Sequence, residues 1–221
     1  MELSITLVLV IITALVSIGG FTNQKIMDDL IFYGPAITRR NQWYRMLTHG
    51  LIHADAFHLI FNMIALYSFG QGLERAFSST CFFGELGRLM YGLLYLGGLV
   101  VASIPDLIKR KDDYYFKSLG ASGAVSAVIF ASIVILPTMG VGLLFLPVRV
   151  PGYIFAVIYI AVSAYLDRKG GSHINHGAHL WGAIFGLAFT IIAIVLMGEI
   201  NILENFREQL NASAPFIPVD C

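Results

Sequence analysis

Charged residues divide the chain into long uncharged runs. The gaps between Glu2 and Lys25, Asp55 and Glu74, and Arg88 and Asp106 hold 22, 18 and 17 residues. Those between Lys117 and Arg149, Arg149 and Asp167, and Lys169 and Glu199 hold 31, 17 and 29. A membrane-crossing helix needs about 20 apolar residues, with a range of roughly 17–25. The pattern predicts an all-α membrane protein with six transmembrane helices, at about 4–20, 57–70, 87–104, 121–136, 151–166 and 177–197. The longest run exceeds one span, and Pro137 offers a helix end inside it. The first segment is expected to be a retained helix, because "MELS" carries Glu2 and lacks the basic residues that open a cleaved leader.

Residues 1–198 are thus expected to form one membrane domain with a long first loop, 21–56, followed by a short polar tail, 199–221. In that tail "EINILENFREQL" predicts a short amphipathic helix. The first loop mixes Phe32, Tyr33, Trp43 and Tyr44 with Arg39, Arg40 and Arg45, a combination suited to a membrane interface.

Composition agrees with a lipid environment. Hydrophobic residues make up 57% of the chain and charged residues 13%, about half the 25% charge typical of soluble domains. The zero net charge gives no electrostatic case for nucleic acid. Cys81 and Cys221 have no paired spacing and are expected as two ordinary thiols rather than a disulfide or zinc site.

Polar residues inside apolar segments are costly and therefore informative. Three clusters qualify. The first, "HGLIHADAFHLIFN", holds His49, His53, His58 and Asn62, with His58 and Asn62 four apart on one helix face. The second, "LGASGAVSA", sets Ser122 at a helix start among Gly120, Ala121 and Gly123. The third, "NHGAHLWGAIFG", aligns His179, Gly182 and Gly186 on one helix face. Each alone also reads as helix packing: an interhelical hydrogen-bond pair, a small-residue seam, or a G-x-x-x-G contact.

Together they make a chemical arrangement. Two small-residue faces allow the fourth and sixth helices to approach backbone to backbone, which would bring Ser122 to His179. A serine hydroxyl needs a base to accept its proton, and histidine titrates in the right range. No Asp or Glu lies in the last three predicted helices, so a dyad is expected rather than a triad. Free N–H groups at the helix start, with side-chain donors from His58 and Asn62, would suit a developing oxyanion.

The ordered set of motifs resembles the rhomboid proteases, the family of intramembrane serine proteases. Trp43-Tyr44-Arg45 resembles the family's Trp-Arg signature with one residue inserted. His58-x-x-x-Asn62, Gly120-Ala121-Ser122-Gly123 and Ala178-His179-x-x-Gly182-x-x-x-Gly186 match the motifs of the second, fourth and sixth helices, over roughly residues 40–190. The resemblance implies Ser122 as nucleophile and His179 as general base. It places His58, Asn62 and Gly120 around the oxyanion, and Trp43, Arg45, Glu74, Gly182 and Gly186 in structural support, Glu74 as a brace between helices. It implies single-span membrane proteins as substrates, membrane lipid as surroundings, and no metal or other cofactor. The fifth helix and residues 167–177 would form a lateral gate and cap, and the membrane would be a bacterial inner membrane.

One position departs from the family. Many bacterial members carry a tyrosine one turn after the nucleophile that stacks on the histidine, and here that position is Ser126. Phe130 and Trp181 are the expected substitutes. Ser126 and His176 are rival nucleophile and base, but lack the surrounding glycine pattern. Two other functions fit parts of the sequence: a catalytically inactive rhomboid-like protein that binds membrane proteins, and a metal site or transporter built on the histidines at 49–58 and 173–179. Orientation draws opposite answers. Ten of the Lys and Arg residues lie in loops 1, 3 and 5 and four on the other side, which puts those loops in the cytoplasm. The family topology puts them outside, and we follow it.

Overall fold

The first helix starts where a serine satisfies its open end. Ser4 Oγ accepts from the N–H of Leu7, and α1 runs Ile5–Thr22. The computed structural model describes residues 3–142, 149–171, 174–212 and 214–218. Three short helices follow, α2 (Gln24–Leu30), α3 (Gly34–Arg39) and α4 (Arg45–Thr48), the last leading into a 3₁₀ turn at His49–Leu51. Asp55 caps α5 (Ala56–Phe77) by accepting from His58 N. Then come α6 (Gly87–Arg110), α7 (Ser122–Ile135), α8 (Gly152–Lys169), α9 (His176–Met197) and α10 (Ile202–Asn211). A two-stranded antiparallel ribbon, β1 (Gly140–Gly142) with β2 (Arg149–Pro151), pairs Val141 with Val150 between α7 and α8.

Helices α1, α5, α6, α7, α8 and α9 occupy the six predicted segments. By length and composition α1, Gly84–Arg110 and α9 are each able to span a membrane, and Arg45–Leu51 joined to Ala56–Phe77 makes a fourth span bent by 99°. At 14 residues α7 is shorter than a span. It is the central element, packed against α5, α6 and α9. It is apolar or small on all sides, as a fully enclosed helix requires.

Two helices outrun their predicted ends by more than a turn. The α5 helix continues past 70 because the carboxylate of Glu74 is satisfied by another helix. It accepts from Ser4 Oγ at 2.7 Å, Ile5 N at 2.7 Å, Thr6 N at 3.0 Å and Thr6 Oγ1 at 2.8 Å. Thr6 Oγ1 also lies 2.8 Å from Tyr91 OH on α6, so one carboxylate ties three helices and serves as an acidic cap on the start of α1. The α6 helix passes through Pro105, which removes one backbone donor without ending the helix.

The first loop is folded rather than open. Arg45 is buried, donating through Nη1 to the carbonyls of Asp28 and Ile31 at 2.8 Å and through Nε to Gln42 at 2.7 Å. Its guanidinium also lies over the Tyr44 ring. Trp43, expected beside it as support, is 54% exposed. Exposed ion pairs Arg39–Asp112 and Lys117–Asp28 join this loop to the segment after α6.

The predicted amphipathic tail helix is α10, capped by Asn201. The tail lies against the turn after α5: Glu199 N donates to Cys81 O and Ser79 Oγ to Pro218 O. Cys81 is disulfide-bonded, which corrects the expectation of an ordinary thiol there. Cys221 lies outside the described residues.

Replacing Glu74 with Ala strands the donors of Ser4, Ile5 and Thr6. Hydrogen bonds to a charged group are worth about 1.5–3 kcal/mol each, so we expect the detergent-solubilised protein to lose at least one such increment. Heat unfolding followed by helical circular dichroism measures it, and an unchanged midpoint would refute the brace.

Candidate active site

The loop before α7 is tied to the rest of the site through its backbone. Phe32 and Ser118 exchange hydrogen bonds of 3.0 and 3.2 Å, and Gly120 N donates to His49 O at 2.9 Å. Gly120 has φ +111°, a region where side chains are strained. A Cβ there would meet His58 Cε1 at 2.7 Å and Nε2 at 3.0 Å. Gly120 is therefore required twice, by its dihedral and by the imidazole against it.

His53 holds the next peptide. Ser17 Oγ gives its single proton to Leu51 O at 2.8 Å and lies 3.0 Å from His53 Nδ1. Nδ1 must then be the protonated nitrogen, leaving Nε2 to accept from Ala121 N at 3.3 Å. The sequence singled out this histidine only as a member of a possible metal-binding cluster, not as a tie to the Ala121 peptide. Its ring also meets that of His58 edge-on, with centroids 4.9 Å apart.

The approach of α9 to α7 is the tightest feature of the site. A Cβ on Gly182 would collide with the backbone of Gly123, and one on Gly186 with the backbone of Ala127. On the other side of α7 a Cβ on Gly123 would lie 2.5 Å from Ala102 Cβ of α6. The parallel register 123–127 against 182–186 sets Ser122 and His179 at the same end of this crossing. Among the described residues no direct hydrogen bond joins them. Apo sites often hold such pairs apart until substrate binds.

His58 and His176 are the titratable neighbours of His179, and the His176 ring meets it edge-on at 6.1 Å. Asn62 is buried and its amide donates to His58 O at 2.9 Å, within its own helix. The expected stackers on His179 are corrected. Trp181 is 41% exposed, and Phe130 packs on Tyr159 instead. The ring stacked on His179 is Tyr159 of α8, at 6.5 Å between centroids and 22° between planes. Its hydroxyl lies 2.7 Å from Ser126 Oγ, so Ser126 holds the ring that its own position lacks.

Asp106 and Asn175 escaped sequence reasoning. Asn175 Oδ1 caps α9 by accepting from Ala178 N at 3.0 Å, and its Nδ2 donates to Asp106 at 2.5 Å and Ser118 at 3.1 Å. The start of the histidine helix is thus pinned to the end of α6. The one available signal was a carboxylate closing an apolar run. Beside Ser122 a cavity of about 20 Å³ mixes apolar lining from Phe32, Ala102 and Leu119 with polar groups of His49, Ser103, Asp106, Ser118 and Asn175, and has room for one water molecule. No group of three or more His, Cys, Asp or Glu side chains is gathered as a metal site among the described residues. Residues 172–173 of the expected cap lie outside them.

The family model of the Rhomboid domain matches residues 40–195. Rhomboid protease GluP of Bacillus subtilis is 27% identical over 179 residues, covering 76% of this chain and 29% of that protein. RHOMBOID-like protein 12, mitochondrial, of Arabidopsis thaliana is 28% identical over 176 residues, 73% of this chain and 49% of its own. Presenilin-associated rhomboid-like protein, mitochondrial, of Rattus norvegicus is 30% identical over 146 residues, 64% of this chain and 36% of its own. The chain spans less than half the length of each of these relatives.

Gly182→Ala is expected to force α9 off α7, at the roughly 1–3 kcal/mol of an overpacked contact. Gly92→Ala, where the added methyl meets open space, is expected to stabilise by about 0.5–1 kcal/mol. Unfolding midpoints of the two variants should move in opposite directions. The same direction in both would remove the close approach from its central position.

Proposed function

The chain belongs to the rhomboid family, and from that premise we propose that it is an intramembrane serine endopeptidase working through a Ser122–His179 dyad. The observation that carries this reading is the backbone contact of Gly182 with Gly123, which aligns the end of α9 that bears His179 with the start of α7. The proton of Ser122 Oγ passes to His179 as Oγ bonds to the scissile carbonyl carbon. The carbonyl π pair moves onto oxygen, facing the open N–H groups at the start of α7, with His58 and Asn62 as side-chain donors. His179 then protonates the departing amine as the C–N bond breaks, leaving an ester on Ser122. Water, deprotonated by His179, attacks that ester and releases the carboxyl product.

Substrates of this reading are single-span membrane proteins that unwind near the membrane surface. Ser122 itself is partly exposed, and the small residues around it place little side-chain bulk in the way of an extended substrate chain. The protein would sit in a bacterial inner membrane with loops 1, 3 and 5 outside. Ion pairing of Arg39 and Lys117 and the burial of Arg45 commit part of that basic surplus to the fold.

Ser122→Ala and His179→Ala are each expected to lower cleavage of a single-span substrate in liposomes by at least about 10³-fold, with a chelator having no effect. Cleavage that survives Ser122→Ala excludes the nucleophile. Wild-type protein that captures the substrate without cutting it supports the inactive relative instead.

Orientation has its own measurement. Green fluorescent protein fused after Gly198 is expected to fluoresce, as it does when folded in the cytoplasm. Alkaline phosphatase active at the same junction would reverse the topology.

A further inference from the structure

We propose that Tyr159 is a positioning residue for His179, latched by Ser126, so that the base is set only while α8 is seated against α7 and α9. The inference rests on His179 being the base of the proposed reaction. An imidazole turns about a broad, nearly two-fold terminal torsion, so a base must have its ring plane held. Among the described residues two rings contact that of His179. His176 meets it edge-on and Tyr159 lies against its face. The face contact is the one that fixes the plane, and its 6.5 Å centroid spacing, with the planes 22° apart, falls within the range of aromatic pairs.

Tyr159 is itself held by three neighbours. Its hydroxyl lies 2.7 Å from Ser126 Oγ, and Ser126 is 3% exposed. Phe130 of α7 and Phe155 of α8 bracket the ring at 5.2 and 5.4 Å. The helix that carries it is lightly seated. Only Gly152, Ala156 and Ser163 of α8 are buried, while Val157, Ile158 and Val162 are exposed. A small displacement of α8 would therefore withdraw Tyr159 from His179 without disturbing the α7–α9 contact. The orientation of the base is in this way made to depend on a helix outside the tight glycine crossing.

Two readouts test this: the rate at which a fluorophosphonate labels Ser122, and kcat and KM on a single-span substrate, both in detergent at matched folded fraction. Tyr159→Leu is expected to slow labelling and lower kcat between about 10- and 100-fold, the range of a misplaced catalytic group, with KM changed less than about threefold. Tyr159→Phe keeps the ring and loses the latch, and should restore most of that loss. Ser126→Ala should match Tyr159→Phe. Ala156→Leu, which wedges α8 away from Phe130, Ile133 and Ala183, should slow labelling about tenfold. Wild-type labelling rates in both Tyr159→Leu and Ala156→Leu would overturn the proposal and leave the dyad standing. Should Tyr159→Leu fail to fold, a wild-type labelling rate in Ala156→Leu overturns it. Wild-type labelling that persists in His179→Ala overturns the dyad itself, and the positioning role with it.

Discussion

The contact of α9 with α7 at Gly182 and Gly123 is the constraint on which the rest of the molecule depends. Between helices in lipid there is no hydrophobic driving force, so association relies on close packing and polar contacts. Here the approach is close enough that a single methyl has no room on Gly182 or Gly186. The other side of α7 is nearly as tight, with Gly98 and Ala102 of α6 against Ala124, Ala127 and Gly123. A helix pinned on two faces by backbone contact cannot rotate or slide. The start of α7 and the His179 turn of α9 are therefore set by register rather than by a bond between their side chains.

Polar side chains secure the two ends of this bundle in different ways. At the end away from Ser122, Glu74 gathers α1, α5 and α6. At the Ser122 end the ties run mostly from side chain to backbone: Arg45 to the first loop, His53 to the peptide of Ala121, and Asn175 to the first turn of α9. Backbone acceptors and donors have fixed positions once helices are packed, so such ties transmit placement to the loop. Gly120, with its positive φ, sits inside that set, held by His49 O and by the His58 ring.

The six long helices were legible because charges bound apolar runs of the right length, and the periodic glycines after His179 marked the face that packs. What escaped had no periodic signature. Helices α2, α3 and α4 are too short to show a period, and the first loop is organised by Arg45 reaching carbonyls far along the chain. His53 stood in a visible cluster, yet its role depends on Ser17 of another helix. Tyr159 is the clearest case. Sequence spacing can point to a ring on the helix of the nucleophile or of the base. It cannot point to a ring on a third helix, whose facing is decided by tertiary packing. Ser126 read as a missing aromatic, and is instead the hydroxyl that holds one.

Asn62 shows how the resting site and the proposed reaction fit together. Its amide now donates to the neutral carbonyl of His58. In the reaction the same amide would turn toward an oxyanion. A hydrogen bond to a charged acceptor is about twice as strong as one to a neutral carbonyl. The exchange gives the amide a partner at rest and strengthens only when charge develops on the substrate oxygen. Interactions that grow between ground and transition state raise the rate, whereas those equal in both do not. A donor parked on its own helix therefore suits an oxyanion site. It costs little to release, and its better partner exists only while the tetrahedral intermediate does.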